Sequence, residues 1–337
     1  MVGYIVKGAI EERGCTVEEL QAITQAFLHD IDFKPPTEGY DASFIKDVIQ
    51  HFEGLPVLAR VAKRIRAIAE WVSAGVGISY PFLRQSNLRD IAIFTTYLFI
   101  IDDYGEEMTT DLQSFTTLLV SGKRQSNVIL GALVEFLPSL KAHYGPFAYD
   151  MFVKSTIEFV NGCILELRLD QQFETPAHAT SFPRYFRLKT GYADPYAHFL
   201  FSEEMWAETK SLHQYLPCIP DLVNFINHVN DLLSFYKESI IGQERFNYVY
   251  NHARAQCVSP ATALRDTAES TLSSIRNVRE VLKQEPGLLR HVDRFVCGFI
   301  TYHILCPRYH LGELGILSGD MQRIVRIYEG MDLKVRT

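Results

Sequence analysis

From Phe44 onward, segment after segment repeats apolar residues three and four positions apart, the period of one face of an α-helix. FIKDVIQHF from Phe44 and LARVAKRIRAIAEWVSAG from Leu58 both carry it. No stretch alternates strictly and no strand-helix-strand rhythm is present, so an all-α fold is expected, a single-domain bundle. Start signals agree. Thr109, Thr110 and Asp111 offer N-caps to DLQSFTTLLVSG; Ser259 followed by Pro260 opens a long polar-faced segment ending near Gly287, and Pro220 opens PDLVNFINHVNDLLSFYKESI. The irregular stretches PPTEGY, residues 35–40, and QQFETPAHATSFP, residues 171–183, are too short and too aromatic to be linkers. No solenoid repeat is present. The expected organisation is a looser N-terminal segment over 1–40 packed on the bundle, a helical domain over 41–320 and a tail over 321–337.

With 47% apolar residues the chain can bury a large core, and a net charge of −7 without a basic stripe excludes a nucleic-acid partner. Lys63, Arg64 and Arg66 read as a solvated helix face. Six scattered cysteines without CxxC spacing read as reduced and mostly buried, in a chain too large to need a disulfide framework. MVGYIVKGAIEERG meets an acidic pair before any long apolar run, and no apolar run approaches the ~20 residues of a membrane span, so a cytoplasmic protein is expected.

The chemistry begins at FIIDDYGEE, where Asp102, Asp103, Glu106 and Glu107 follow the apolar run IAIFTTYLFII. On a continued helix Asp102 and Glu106 share a face, yet Gly105 weakens the helix, so the cluster marks a helix C-terminal end that already carries the negative pole of the dipole. Two readings stay open, a solvated acidic turn or a seat for a hard divalent cation. Oxygen-only donors favour Mg²⁺ over zinc. A second set stands in NDLLSFYKE: Asn230, Ser234 and Glu238 at i, i+4 and i+8 line one stripe over ~12 Å of helix, flanked by apolar residues. Alone it reads equally as a polar network between helices. Two hard-ligand clusters on separate helices point to Mg²⁺ ions holding a polyphosphate.

These two stretches, DDYGE and NDLLSFYKE, resemble the DDxxD/E and NSE motifs of class I terpene cyclases, and NDLLSFYKE looks most like the fungal trichodiene synthase group. FRLKTG resembles the segment in which an arginine senses diphosphate and a glycine marks a helix break, here Arg187 and Gly191. PRYH resembles the family's Arg-Tyr pair, here Arg308 and Tyr309. The likeness covers residues 60 to 315, with Glu106 rather than an aspartate as the last acid of the aspartate-rich motif. It implies a cavity in a helical bundle and three Mg²⁺, two on Asp102, with Glu106 as the less certain ligand, and the third on Asn230, Ser234 and Glu238. Arg187, Lys237, Arg308 and Tyr309 would grip the diphosphate of a small isoprenoid substrate, a fifteen-carbon one by the trichodiene synthase likeness. Phe99, one turn before Asp102, and Tyr302, six residues before Arg308, would wall the cavity, with Gly191 beside it and Phe94, Tyr97 and Tyr192 as weaker members.

Trp71 and Trp206 read as core. Glu166 and Asp170, flanking Arg168, read as surface charges, and His228 and His303 as satisfied helix residues. The rivals are cyclases of ten- or twenty-carbon diphosphates, a chain-elongating prenyltransferase, which would need a second aspartate-rich motif, and a helical scaffold protein. Oligomeric state, monomer or homodimer, stays open.

Overall fold

The computed structural model describes residues 14–36, 39–169 and 173–316. The first helix, α1 (Val17–Asp30), starts in a capping box: Thr16 Oγ1 accepts from Glu19 N–H, and the Glu19 carboxylate accepts from Thr16 N–H, both at 3.1 Å. Leu20, Ile23 and Phe27 are buried along one face, each contributing ~1.5–3 kcal/mol. They seat α1 against the long helix Pro260–Val281. This part of the N-terminal segment is therefore an integral helix rather than a loose one.

The two periodic segments form α2 (Phe44–Glu53) and α3 (Ala59–Ser79), and IAIFTTYLFII forms the middle of α4 (Gln85–Tyr104). Every residue of α4 from Asp90 to Ile101 is buried, which is what a helix apolar on all sides requires. The one charged residue of that buried stretch, Asp90, is held by Arg89 Nε at 2.7 Å and His143 Nε2 at 2.9 Å. The helix stops at Tyr104 with Gly105 as its cap.

Then follow α5 (Thr109–Val120), α6 (Val128–Phe136), α7 (Pro146–Leu169), α8 (Phe182–Thr190), α9 (Ala193–Phe199), α10 (Glu208–Tyr215) and α11 (Ile219–Phe235). The Thr109 and Thr110 caps are not realised: Thr109 is already helical, and its hydroxyl donates back to Glu106 O at 2.8 Å. Pro220 does sit in the first turn of α11, which runs on into a π-helical turn, Tyr236–Ile241. α12 (Tyr248–Gln256), α13 (Pro260–Val281) and α14 (Pro286–Leu305) complete the set. Ser259 caps α13 as expected, Oγ accepting from Thr262 N–H at 3.1 Å, but α13 ends before Gly287 because Pro286 starts α14.

Among the described residues there is no strand, and no helix is long and apolar enough to cross a membrane. All six cysteines are free. α3 packs between α4 and α14, α11 between α9 and α13, and α7 against α8 and α9. Between these walls lies one deep cavity. The 321–337 tail and Asp170 lie outside the described residues.

Candidate active site

The cavity measures about 1430 Å³, more than the ~300–1,000 Å³ of ordinary ligand pockets. α4 gives it a stripe at four and three spacing: Thr95, Phe99 and Asp102. Asp102 falls in the last turn, so its carboxylate faces the cavity where the helix carbonyls run out of partners. It is open to water inside the cavity but walled by protein. Burial, then neighbouring Asp103, hold its pKa above the usual carboxylate range against the pull of Arg308 and Lys237. Because the helix ends at Tyr104, Glu106 does not continue Asp102's face; it reaches the same cavity from the turn beyond. Asp103 points elsewhere and pairs with Arg64 at 3.0 Å and Arg308 at 3.7 Å.

Opposite, Asn230 and Glu238 line the same cavity, with Asn227 and Asp231 beside them. The Ser234 hydroxyl is buried with no protein partner, as is Asp231 Oδ2. Glu238 and Lys237 stand in the π turn rather than on a regular third helical turn, as the i+8 spacing had suggested. Their side chains stay together, Nζ to Oε1 4.0 Å.

Arg187, near the end of α8, reaches across to this bank. Its Nε donates to Asp231 Oδ1 at 2.8 Å and its Nη2 to Asn230 Oδ1 at 3.0 Å. Even so, burial pushes the Asp231 carboxyl up to about 7. α8 stops at Gly191, whose N–H donates to Arg187 O at 2.9 Å. A Cβ at Gly191 would lie 2.6 Å from Asn227 Oδ1 and 2.9 Å from Arg187 Nη1, so only glycine lets the chain turn this close to the guanidinium. Gly191 is thus a backing residue and not, as expected, part of the cavity surface.

Arg308 stacks over Trp71 at 5.5 Å and Phe99 at 5.6 Å. Trp71 packs edge-on to Phe99, so it supports the site as well as the core. Tyr309 sits beside Asn230, its hydroxyl 3.5 Å from Nδ2. Val72, Tyr80, Tyr192, Tyr196, Phe299 and Tyr302 give part of the cavity an apolar, aromatic lining. Phe94 is a correction: it is fully buried against Phe152 and Phe199, in the core rather than on the wall. Tyr97 is likewise core, bonded to His51 at 2.7 Å.

Glu166 is the larger correction. Far from being a surface charge, it lines the cavity, and one ligand atom from each of Asp102, Cys163 and Glu166 lies within 4.8 Å of the others. Burial, then Asp102, push Glu166 up to about 8. Glu244, from the loop after the π turn, also lines the cavity and is pushed to about 7 by burial and Glu238. His303 is satisfied, as expected, and burial pulls it down to about 4, leaving it neutral. Buried His228, in contrast, has no partner on Nδ1.

A sequence model described as trichodiene synthase matches residues 44–324. (E)-beta farnesene synthase from Metarhizium brunneum is 36% identical over 89% of this chain and 91% of its own. Monoterpene synthase 25 from Postia placenta is 30% identical over 85% of this chain and 90% of its own. A linalool/nerolidol synthase from Streptomyces clavuligerus superposes with a TM-score of 0.56 over 84% of this chain and 99% of its own; at 14% identity that likeness shows the fold.

Proposed function

The chain belongs to the trichodiene synthase family, and from that premise we propose that it is a class I sesquiterpene cyclase that ionises farnesyl diphosphate with Mg²⁺ and cyclises the resulting carbocation. The observation that carries this reading is that Asp102, at the end of α4, and Asn230 and Glu238, on and after α11, line one cavity that also carries the aromatic side chains Tyr80, Phe99, Tyr192, Tyr196, Phe299 and Tyr302.

The residues fit a hard cation. The unpartnered Ser234 hydroxyl and Asp231 oxygen, and the carboxyls of Asp102, Glu166 and Asp231, whose pKa values burial raises, fit a site that would hold magnesium. Asp102, with Glu106, would hold two ions and Asn230, Ser234 and Glu238 a third. When bound, Mg²⁺ neutralises the diphosphate oxygens and makes them a better leaving group.

Arg187, Lys237, Arg308 and the Tyr309 hydroxyl donate to the diphosphate as the C–O bond breaks, stabilising negative charge where it grows. Arg187 is positioned for this by Asp231 and by the turn at Gly191. The lining of Phe99, Tyr192, Phe299 and Tyr302 would exclude water from the cation and offer it aromatic rings. The likeness to Monoterpene synthase 25 favours geranyl diphosphate as a second substrate reading.

The test is incubation with Mg²⁺ and geranyl, farnesyl or geranylgeranyl diphosphate, followed by headspace mass spectrometry. Farnesyl diphosphate alone is expected to give abundant cyclic C15 product, and Asp102→Ala or Asn230→Ala to lower turnover by on the order of 10²-fold or more with helical content intact. Wild-type turnover in either variant would refute the site.

A further inference from the structure

His303, on α14, is buried at the cavity wall and lies against Asn230. Its Nδ1 stands 2.8 Å from the carbonyl oxygen of Phe299. A carbonyl can only accept, so Nδ1 carries the proton and, in a neutral ring, Nε2 is left with a lone pair. Asn230 Nδ2 faces that lone pair at 3.3 Å, with the Tyr309 hydroxyl at 3.5 Å, while Asn230 Oδ1 accepts from the cavity-lining Arg187 through Nη2 at 3.0 Å. Turning the amide over would set its oxygen against the lone pair and its NH₂ against the guanidinium, two repulsions in place of two hydrogen bonds. The chain thus runs from a helix carbonyl, through an imidazole, to one orientation of one amide.

We infer that His303 is a positioning residue: through its fixed tautomer it locks the Asn230 amide with the oxygen toward the cation seat. An asparagine binds a hard metal only through that oxygen, so a freely turning amide would present the wrong atom part of the time. The inference rests on the reading of Asn230 as a magnesium ligand. Removing the imidazole leaves the Phe299 carbonyl within the helix ladder of α14 and leaves Asn230 Nδ2 the Tyr309 hydroxyl at 3.5 Å.

The test compares wild type, His303→Leu, His303→Gln, Asn230→Asp and Asn230→Asp/His303→Leu. Two quantities are read: the rise in melting temperature on adding Mg²⁺ with inorganic pyrophosphate, and the Mg²⁺ concentration giving half-maximal turnover of farnesyl diphosphate. His303→Leu is expected to raise the half-saturating Mg²⁺ by ~10–100-fold and to shrink the thermal response. His303→Gln, whose amide oxygen can accept from Asn230, recovers part of both. With aspartate at 230 either carboxylate oxygen can face the cavity, so adding His303→Leu there costs nothing further. A merely structural histidine would cost the same in both backgrounds, and that result overturns the inference, as does wild-type Mg²⁺ dependence in His303→Leu. If His303→Leu does not fold, His303→Gln and the aspartate pair decide: intermediate Mg²⁺ dependence supports positioning, and a wild-type or unrescued value opposes it. A wild type that ignores Mg²⁺ and pyrophosphate, with Asn230→Ala fully active, would instead overturn the magnesium reading and this inference with it.

Discussion

Gly75, on α3, has no room for a methyl group: a Cβ there would lie 2.5 Å from Cε2 of Tyr302. Both residues line the cavity, so the missing side chain is what lets the Tyr302 ring lie flat against α3 instead of standing into the guest's space. Gly75→Ala is therefore expected to push the ring inward, shrink the cavity and redistribute products, and Tyr302→Ala in the same chain to relieve the clash; product ratios by gas chromatography check it, and an unchanged profile in Gly75→Ala would contradict it. At this scale much of the site was legible. Phe99 follows from sharing a helix face with Asp102, and Tyr302 from its distance to Arg308. Phe94 failed because five residues turn a helix by roughly 140° relative to Phe99. Glu166 was misread because Arg168 stands two residues away, yet two residues point to nearly opposite sides. The usable signal was Phe159, Gly162, Cys163 and Glu166 at three and four spacing, a buried face that simply continues to the acid.

Among the elements, α8 does its work by ending. A methyl group at Gly191 would collide with Asn227 Oδ1, with Arg187 O at 2.8 Å and with the guanidinium itself. Gly191→Ala is expected to destabilise the protein by ~1–3 kcal/mol and to lower kcat further than that loss explains, since Arg187 must leave Asp231; thermal unfolding alongside kinetics separates the two, and a variant with normal kcat would show that the turn is only structural. Helix existence was written plainly in the three-four periodicity, and the end of α4 in Gly105. The start of α1 was also written, as Thr16 and Glu19 three apart with Leu20, Ile23 and Phe27 at three and four spacing behind them, a signal that the expectation of a looser N-terminal segment passed over. The π turn was not legible. It adds one residue to a hydrogen-bonded loop, a change of backbone register that leaves the order of apolar and polar residues untouched.

Across the whole molecule the cavity gathers acids that the fold alone does not neutralise. Glu166 at about 8, and Asp231 and Glu244 at about 7, titrate well above their unfolded values of ~4. The folded state therefore holds protons that the unfolded chain has released, and the stability this gives is complete below pH ~4 and lost as pH rises through 7 and 8. Buried His228, His291 and His303, at about 3, 4 and 4, act in the opposite sense, but that effect is finished near pH 7, above their unfolded value. Between pH 7 and 8.5, metal-free protein should lose melting temperature, Glu166→Gln should lose less, and Mg²⁺ with pyrophosphate should stabilise more at the higher pH; calorimetry in EDTA and in magnesium checks this, and a flat profile would contradict it. Arg187 and Asn230 meanwhile grip each other across α8 and α11. One amide oxygen cannot comfortably serve a guanidinium and a divalent ion together, so on the proposed reading an ion on Asn230 would release the arginine for phosphate, and an arginine drawn to phosphate would vacate the oxygen. Thermodynamic reciprocity would then fix the outcome: by whatever factor the anion tightens the grip on the cation, the cation would tighten the grip on the anion, and each alone would be held more weakly than the two together.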